Sequence, residues 1–386
     1  RGVRRLRPFL SVKPRGRRGL SQPEIQVATQ FLTAGSGGIA RCARLTVLAL
    51  ASEAQVSALA VEDRLSTVIG EVRSRAFGGN RSAFVAANMI GALKCDWVIY
   101  DFAGTARAHG PLGLAGRPYA LWAHGLEVWP GHLRDDYARA IRGAKAVFVN
   151  SAHTRGRLAE SLPGLSNVHE CQLGTEADLA ARPTPSASRE RLVLFLGRND
   201  ALFAKGQDVL IAAWPAVVDE VVDAVLCFVG GGERLDRLRA LAAASPAASS
   251  IRVMGPLAEA DVERLHRRAR LFAMLSRVEG FGLVFAEAMS HGAPVLTADE
   301  DASTEVSLDG ETGLAVNRGD PGAVSRAIVS VLKDDRLFER LSRNAYARWS
   351  RRFCFSAFRA RFLRVAAAAG LVPELAAPAL ELSEPG

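Results

Sequence analysis

Glu279 and Glu287, with seven residues between them, frame the segment of greatest chemical interest, residues 276–295 (SRVEGFGLVFAEAMSHGAPV). An apolar run at 271–275 reads as a strand ending just ahead of it, and Gly292 and Pro294 stop the helix that follows. Gly280 and Gly282, on either side of Phe281, let backbone N–H groups at the start of that helix approach a ligand closely. Free donors and the helix dipole there favour an anion. A carboxylate beside such a site would repel bare phosphate. It fits if Glu279 accepts hydrogen bonds from sugar hydroxyls attached to that phosphate, and if Glu287, deeper in the helix, accepts from a diol such as a ribose. Taken alone, the two acids read equally well as a helix cap and a surface residue, since acids are common in a first turn.

Residues 192–210 (LVLFLGRNDALFAKGQDVL) supply cations. A strand ends at Gly197, Arg198 follows at its carboxyl end, and Lys205-Gly206 opens a helix. A planar guanidinium and a mobile ammonium at these places suit a diphosphate. By themselves they also describe an ordinary basic loop. Upstream, residues 31–45 (FLTAGSGGIARCARL) run from a strand through Gly35, Gly37 and Gly38 into a helix, without the full dinucleotide-binding glycine pattern. Residues 119–128 (YALWAHGLEV) place His124 at a strand's carboxyl end, ahead of Gly125 and Glu127. The other six histidines share no metal-ligand spacing.

These residues need elements to hold them. Short apolar runs at 25–32, 97–100, 119–122, 146–149, 192–196, 224–229, 271–275 and 294–297 read as buried strands. Helical patterns such as 208–218, 234–244 and 261–268 lie between them, which implies parallel sheets with right-handed crossovers. Residues 180–189 (AARPTPSASR) break the rhythm with two prolines and no apolar anchor, so 181–189 is expected to be a linker. About four strands fall on each side, in two doubly wound domains at 21–180 and 190–345. The aromatic-rich tail, 346–386, is expected to be helical, to pack back on the first domain, and to fray beyond about Pro373.

Taken together, the Gly197-Arg198 and Lys205-Gly206 pair, Glu279 with Glu287, residues 229–233 (VGGGE) and residues 306–314 (VSLDGETGL) resemble glycosyltransferase family 4. That resemblance is strong from 192 to about 332 and continuous upstream. It implies an α/β protein of GT-B type, with two Rossmann-like domains facing a central cleft. It implies a metal-independent, retaining transferase using a UDP- or GDP-linked hexose. Arg198 and Lys205 would then bind the donor diphosphate and stabilise the leaving nucleotide. Glu279 and the backbone of Gly280, Phe281 and Gly282 would hold the sugar, and Glu287 the ribose. Gly37 and Gly38 would reach the diphosphate from across the cleft, and His124 would touch the transferred sugar or the acceptor. Asn150, Ser151 and Thr154 match a strand-to-helix step of the family and receive no role. Asp299-Glu300-Asp301 spells a metal-binding DxD pattern known from a different glycosyltransferase fold; here it is expected to be a solvated loop.

The acceptor would be a polysaccharide, glycolipid or other glycoconjugate. Two other classes compete: a nucleotide-sugar epimerase on the same architecture, and a non-catalytic nucleotide-sugar-binding protein. Composition narrows the field further. Residues 1–20 hold eight basic residues and no acid, so the net charge of +9 falls to +1 beyond them. A near-neutral body is a poor polyanion surface, and no nucleic-acid partner is expected. The basic leader, expected to be disordered, reads as a solvated tail or a misplaced start sooner than a transit peptide. It could assist peripheral contact with anionic lipid. Five scattered cysteines read as buried reduced thiols of a cytoplasmic protein.

Overall fold

The computed structural model describes residues 22–109, 117–178, 189–199 and 205–374 of the 386. The expected leader at 1–20, residues 181–188 of the expected linker and the chain beyond 374 lie outside the described residues.

The first sheet contains β1 (Glu24–Thr29), β2 (Gln55–Ala60), β3 (Val68–Ile69), β4 (Val72–Ala76), β5 (Trp97–Tyr100), β6 (Tyr119–Ala123), β7 (Ala146–Val149) and β8 (Val168–Glu170). They alternate with α1 (Gly38–Leu50), α2 (Arg81–Ala92), α3 (Ala103–Ala106), α4 (Asp135–Gly143) and α5 (Ala152–Ser161). Their order is β3-β4-β2-β1-β5-β6-β7-β8, parallel except for the β3–β4 hairpin.

The second sheet contains β9 (Glu190–Leu196), β10 (Val225–Val229), β11 (Ile251–Gly255), β12 (Ala269–Met274), β13 (Val295–Ala298) and β14 (Gly313–Val316). Its helices are α6 (Gln207–Glu220), α7 (Leu235–Ala243), α8 (Glu259–Arg268), α9 (Leu283–Ser290), α10 (Ser303–Val306) and α11 (Pro321–Lys333). All pairs are parallel, in the order β11-β10-β9-β12-β13-β14. The winding direction therefore reverses between β1 and β5 in one sheet and between β9 and β12 in the other. Ligands of doubly wound sheets bind outside the carboxyl ends of strands at such points.

The expected four strands per sheet become eight and six. The strands that were anticipated are central and apolar on both faces; every residue of β7 and β12 is buried. Those missed are edge or half-exposed strands such as β4 (VRSRA) and β8 (VHE), whose polar residues hide the pattern. Helix α6 continues through Pro215, although proline removes a backbone donor at a cost of about 3 kcal/mol. Leu210, Ile211, Trp214 and Val217 are all buried and hold the helix on both sides of it.

Two last helices, α12 (Asp335–Arg352) and α13 (Phe355–Ala368), end the described chain. Helix α12 lies on α9, and α13 returns to the first sheet beside α1. Phe362 stacks on Trp122 at 5.9 Å and Trp97 Nε1 donates to Gly370 O at 3.1 Å. Where the chain passes between halves, Thr175 N donates to Phe353 O at 2.7 Å and Phe355 N to Ala177 O at 3.0 Å. All five cysteines are buried and unbridged.

Candidate functional site

At the switch point of the second sheet, β9 and β12 deliver the two segments singled out in the sequence. Gly206 begins α6 with φ 81°, and a Cβ there would stand 2.5 Å from Leu275 O. Only glycine brings the start of α6 that close to the end of β12. Lys205 Nζ consequently sits 2.9 Å from Glu279 Oε2, an ion pair between the two segments. Gly282, at φ 88°, starts α9, so the free N–H groups of that helix lie directly after the Glu279–Gly280–Phe281 turn. Arg198 is exposed beyond β9, and the neighbouring Asn199 is buried, donating to Gly230 O at 3.1 Å and accepting from Gln207 Nε2 at 3.0 Å. Asn199 thereby ties the glycine turn after β10 to the same rim.

The facing rim belongs to the first sheet. Asp101 follows β5 at the other switch point, fully enclosed. Its carboxylate accepts from Gln30 N at 2.6 Å and Thr105 Oγ1 at 2.5 Å. Burial pushes this carboxyl up to about 7 against those hydrogen bonds. Its backbone oxygen lies 2.6 Å from His124 Nε2. A carbonyl can only accept, so Nε2 carries the proton and Nδ1 presents a lone pair. Burial lowers the His124 pKa, with Glu127 and the Asp101 carbonyl opposing it. Glu127 Oε1 accepts from His124 N at 2.6 Å, which fixes the turn rather than leaving that carboxylate free. Gly37, at φ 100°, precedes α1, with open space where a side chain would stand.

These rims touch. A Cβ on Gly280 would collide with His124 O and lie 3.1 Å from the Gly125 Cα. Ser151 Oγ donates to Gly280 O at 2.7 Å and Thr154 Oγ1 at 3.3 Å, while Asn150 Nδ2 donates to His124 O at 2.9 Å. Glu305 of α10 accepts from Ala152 N at 3.0 Å and His153 N at 2.8 Å, capping α5 from the opposite half. Glu287 pairs with Arg41 in the first turn of α1. That contact sets the glycine turn at Gly37-Gly38 opposite α9.

The structure thus gathers His124, Lys205, Glu279, Gly280, Phe281, Gly282 and Glu287 around one cleft, with Arg198 on its rim. One expectation fails. Asp301 is not in solvent: it is 4% exposed, accepting from Ser303 Oγ at 2.5 Å, Ser303 N at 2.9 Å and Glu279 N at 3.3 Å. Burial raises its carboxyl to about 6. Asp299 and Glu300 are exposed as expected. Among the described residues no cluster of His, Cys, Asp or Glu could hold a metal ion. No local pattern in the chain marked Asp101 or Glu305. Ser151 did leave one, as a serine between a buried strand and a helix, where it accepts from Thr154 N at 3.0 Å.

Residues 178–348 match the family described as glycosyl transferases group 1. Among curated proteins, a GDP-mannose-dependent alpha-(1-6)-phosphatidylinositol monomannoside mannosyltransferase of Mycolicibacterium smegmatis is 29% identical over 267 residues, 64% of this chain and 70% of that protein. A phosphatidyl-myo-inositol mannosyltransferase of Mycobacterium leprae is 35% identical over 204 residues, 52% of this chain and 53% of that protein. A D-inositol 3-phosphate glycosyltransferase of Xylanimonas cellulosilytica is 34% identical over 262 residues, 62% of each chain. The chain therefore spans less than two thirds of the length of the latter two. Among solved structures, Anabaena HepE in complex with UDP and glucose aligns with TM-score 0.75 at 18% identity, over 90% of this chain and all of that one. Sucrose-phosphate synthase from Thermosynechococcus elongatus aligns with TM-score 0.76 at 19% identity, over 90% and 98%. At such identities these likenesses speak to the fold, two facing α/β units of GT-B type.

Proposed function

We infer, from the match of residues 178–348 to the glycosyl transferases group 1 family, that this chain is a member of it and a retaining, metal-independent hexosyltransferase drawing on a nucleoside-diphosphate sugar. The observation that carries this reading is the Lys205–Glu279 pair beside the Gly280–Gly282 turn, held under His124 at a switch point. In this reading the donor diphosphate takes over Lys205 and Arg198, and Glu279 turns to the hexose hydroxyls. Glu287 accepts from the ribose diol. Breaking the anomeric bond builds an oxocarbenium-like sugar and a more negative diphosphate. Fixed cations and N–H donors then stabilise the departing charge without reorganising. The leaving phosphate oxygen takes the acceptor proton on the same face, so no protein nucleophile is required. Glu279 and Glu287 are not a hydrolase acid/base pair.

GDP-mannose is the first donor to try, because the M. smegmatis relative is named as dependent on it, and an inositol-bearing lipid the first acceptor, because the names of both the M. smegmatis and M. leprae relatives contain a phosphatidylinositol. No described helix is long and apolar enough to cross a membrane. A lipid acceptor is proposed to be met by peripheral contact, with the basic residues 1–20 attracted to anionic lipid. Thermal melting against GDP, UDP and their sugars tests the reading, since a ligand of the folded state raises the melting temperature. Stabilisation by one nucleotide, weakened in Glu287→Ala and Lys205→Ala, supports it. No shift with any nucleotide in a folded sample favours a protein without this donor site. Release of an epimerised sugar without acceptor points to an epimerase.

A further inference from the structure

We propose that Ser151 and Thr154, at the β7–α5 turn of the first half, are positioning residues that aim the donor-sugar turn of the second half. The proposal rests on the donor-site reading above and gives it a mechanism of closure.

The peptide joining Gly280 to Phe281 is trans, as is every described peptide bond. Its carbonyl and its N–H therefore point in opposite directions. Ser151 Oγ and Thr154 Oγ1 both donate to that carbonyl, and both side chains are completely enclosed. Turning the Gly280 oxygen towards α5 turns the Phe281 N–H away from it. Gly280 leaves one of the two dihedrals flanking this peptide without side-chain restraint, which lowers its resistance to flipping. Nor can the second half hold it alone, because the two hydroxyls belong to the opposite sheet. The remaining contacts of the turn point the same way. Gly280 packs against the His124 carbonyl, which Asn150 Nδ2 fixes from the adjacent position. Glu305 caps the next two amides, Ala152 N and His153 N. One turn of the first half thus fixes His124, the sugar-binding turn and the seam between the halves. Separating the halves would release the Gly280–Phe281 peptide; bringing them together restores its direction.

The test pairs Ser151→Gly with Thr154→Val. Glycine is tolerated at an N-cap and valine matches threonine in shape, so the helix start survives while both hydroxyls are lost. Amide hydrogen exchange at Phe281, Gly282 and Leu283 should accelerate at least tenfold, with β9 and β12 unchanged. Binding of GDP and UDP should stay within twofold of wild type. Turnover of GDP-mannose or UDP-glucose, whichever the wild type accepts, should fall about 10- to 100-fold, as for a reacting group displaced by an ångström. The conservative pair Ser151→Thr and Thr154→Ser, which keeps both hydroxyls, should restore most of it. Unchanged exchange at Phe281 overturns the proposal, as does a loss of nucleotide binding equal to the loss of turnover. A wild type that binds neither nucleotide defeats the functional reading, while the exchange comparison still decides the role of the two hydroxyls.

Discussion

Arg41, in the first turn of α1, forms an ion pair with Glu287, in the second turn of α9, with side chains 31% and 19% exposed. The pair bridges the two sheets across the cleft. On the proposed reading it also occupies the carboxylate that a ribose diol would use, so an entering nucleotide would have to displace a cation.

Removing that competitor should help the nucleotide. A partly exposed pair contributes about 0.2–1 kcal/mol. Arg41→Met should therefore tighten GDP or UDP binding by up to about fivefold by titration calorimetry. Weaker binding would instead make Arg41 a direct contact to the diphosphate.

Lys205 and Glu279 should separate by kinetic signature. Lys205→Ala removes a cation from the leaving diphosphate and should cost about 100-fold or more in kcat, along with nucleotide affinity. Glu279→Gln keeps an acceptor for Lys205 but weakens the hold on the sugar. Its loss should appear in turnover of the nucleotide sugar, with binding of the free nucleotide intact. Equal loss of GDP binding in both variants would contradict the division of roles.

Gly280→Ala inserts a methyl group against the His124 carbonyl. The halves should part, raising the radius of gyration in solution scattering and abolishing transfer, while far-ultraviolet circular dichroism stays native. Wild-type compactness with wild-type turnover would mean that the close approach is dispensable.

Stability should depend on pH through three buried groups. His266 is brought down to about 3 by burial and by neighbouring His291 and Arg189, and His291 to about 4, chiefly by burial. Among the described residues, neither ring nitrogen of His266 has a hydrogen-bond partner. An unfolded histidine titrates near 6.5, so between 6.5 and about 4 the unfolded chain binds protons that the folded one refuses. Their stabilising contribution is complete above 6.5 and declines on acidification, by about 1.4 kcal/mol per pH unit for each group at most. Asp101 works in the other direction: its folded value of about 7 exceeds the unfolded 3.8, so its contribution is complete below 3.8 and declines as pH rises to 7. Urea midpoints at pH 5 and 7.5 should differ less in His266→Phe than in wild type, and shift further in favour of pH 7.5 in Asp101→Asn. Identical differences in all three proteins would remove these groups from the account.

Chelation should leave transfer intact. Asp301 spends its carboxylate on Ser303 and the Glu279 amide, which leaves the acidic tripeptide no buried pair for a cation. Activity lost in EDTA and restored by magnesium would reverse this.

How far the sequence could be read follows from where each signal resides. Strands buried on both faces, such as β5 and β7, announce themselves as unbroken apolar runs. Strands β2, β11 and β14 carry exposed or half-exposed residues and do not. Glycines of the β9 and β12 loops were legible because backbone conformation demands them locally, as at Gly206. Asp301 was misread because a buried acid and a solvated one are spelt alike; only the partners differ. The roles of Ser151, Thr154 and Glu305 depend on atoms more than 120 residues away, which no local pattern encodes. Tertiary approach alone turned a capping serine into a contact with the Gly280 carbonyl.

The chain passes between the halves twice, once after Ala177 and once between α12 and α13, and backbone hydrogen bonds at Thr175 and Phe355 hold these passes side by side. Two adjacent tethers act as the knuckles of a single hinge. Such a pair would leave rotation about one line free and would resist sliding or twisting of one sheet past the other. Any opening and closing about that line would return Gly280 to the same place beneath His124, which would make the accuracy of the cleft a matter of kinematics as well as of contacts. It also makes α13 a structural part of the first half: a chain cut before Phe355 would keep the complete second sheet yet leave Trp122 uncovered and the hinge with one knuckle.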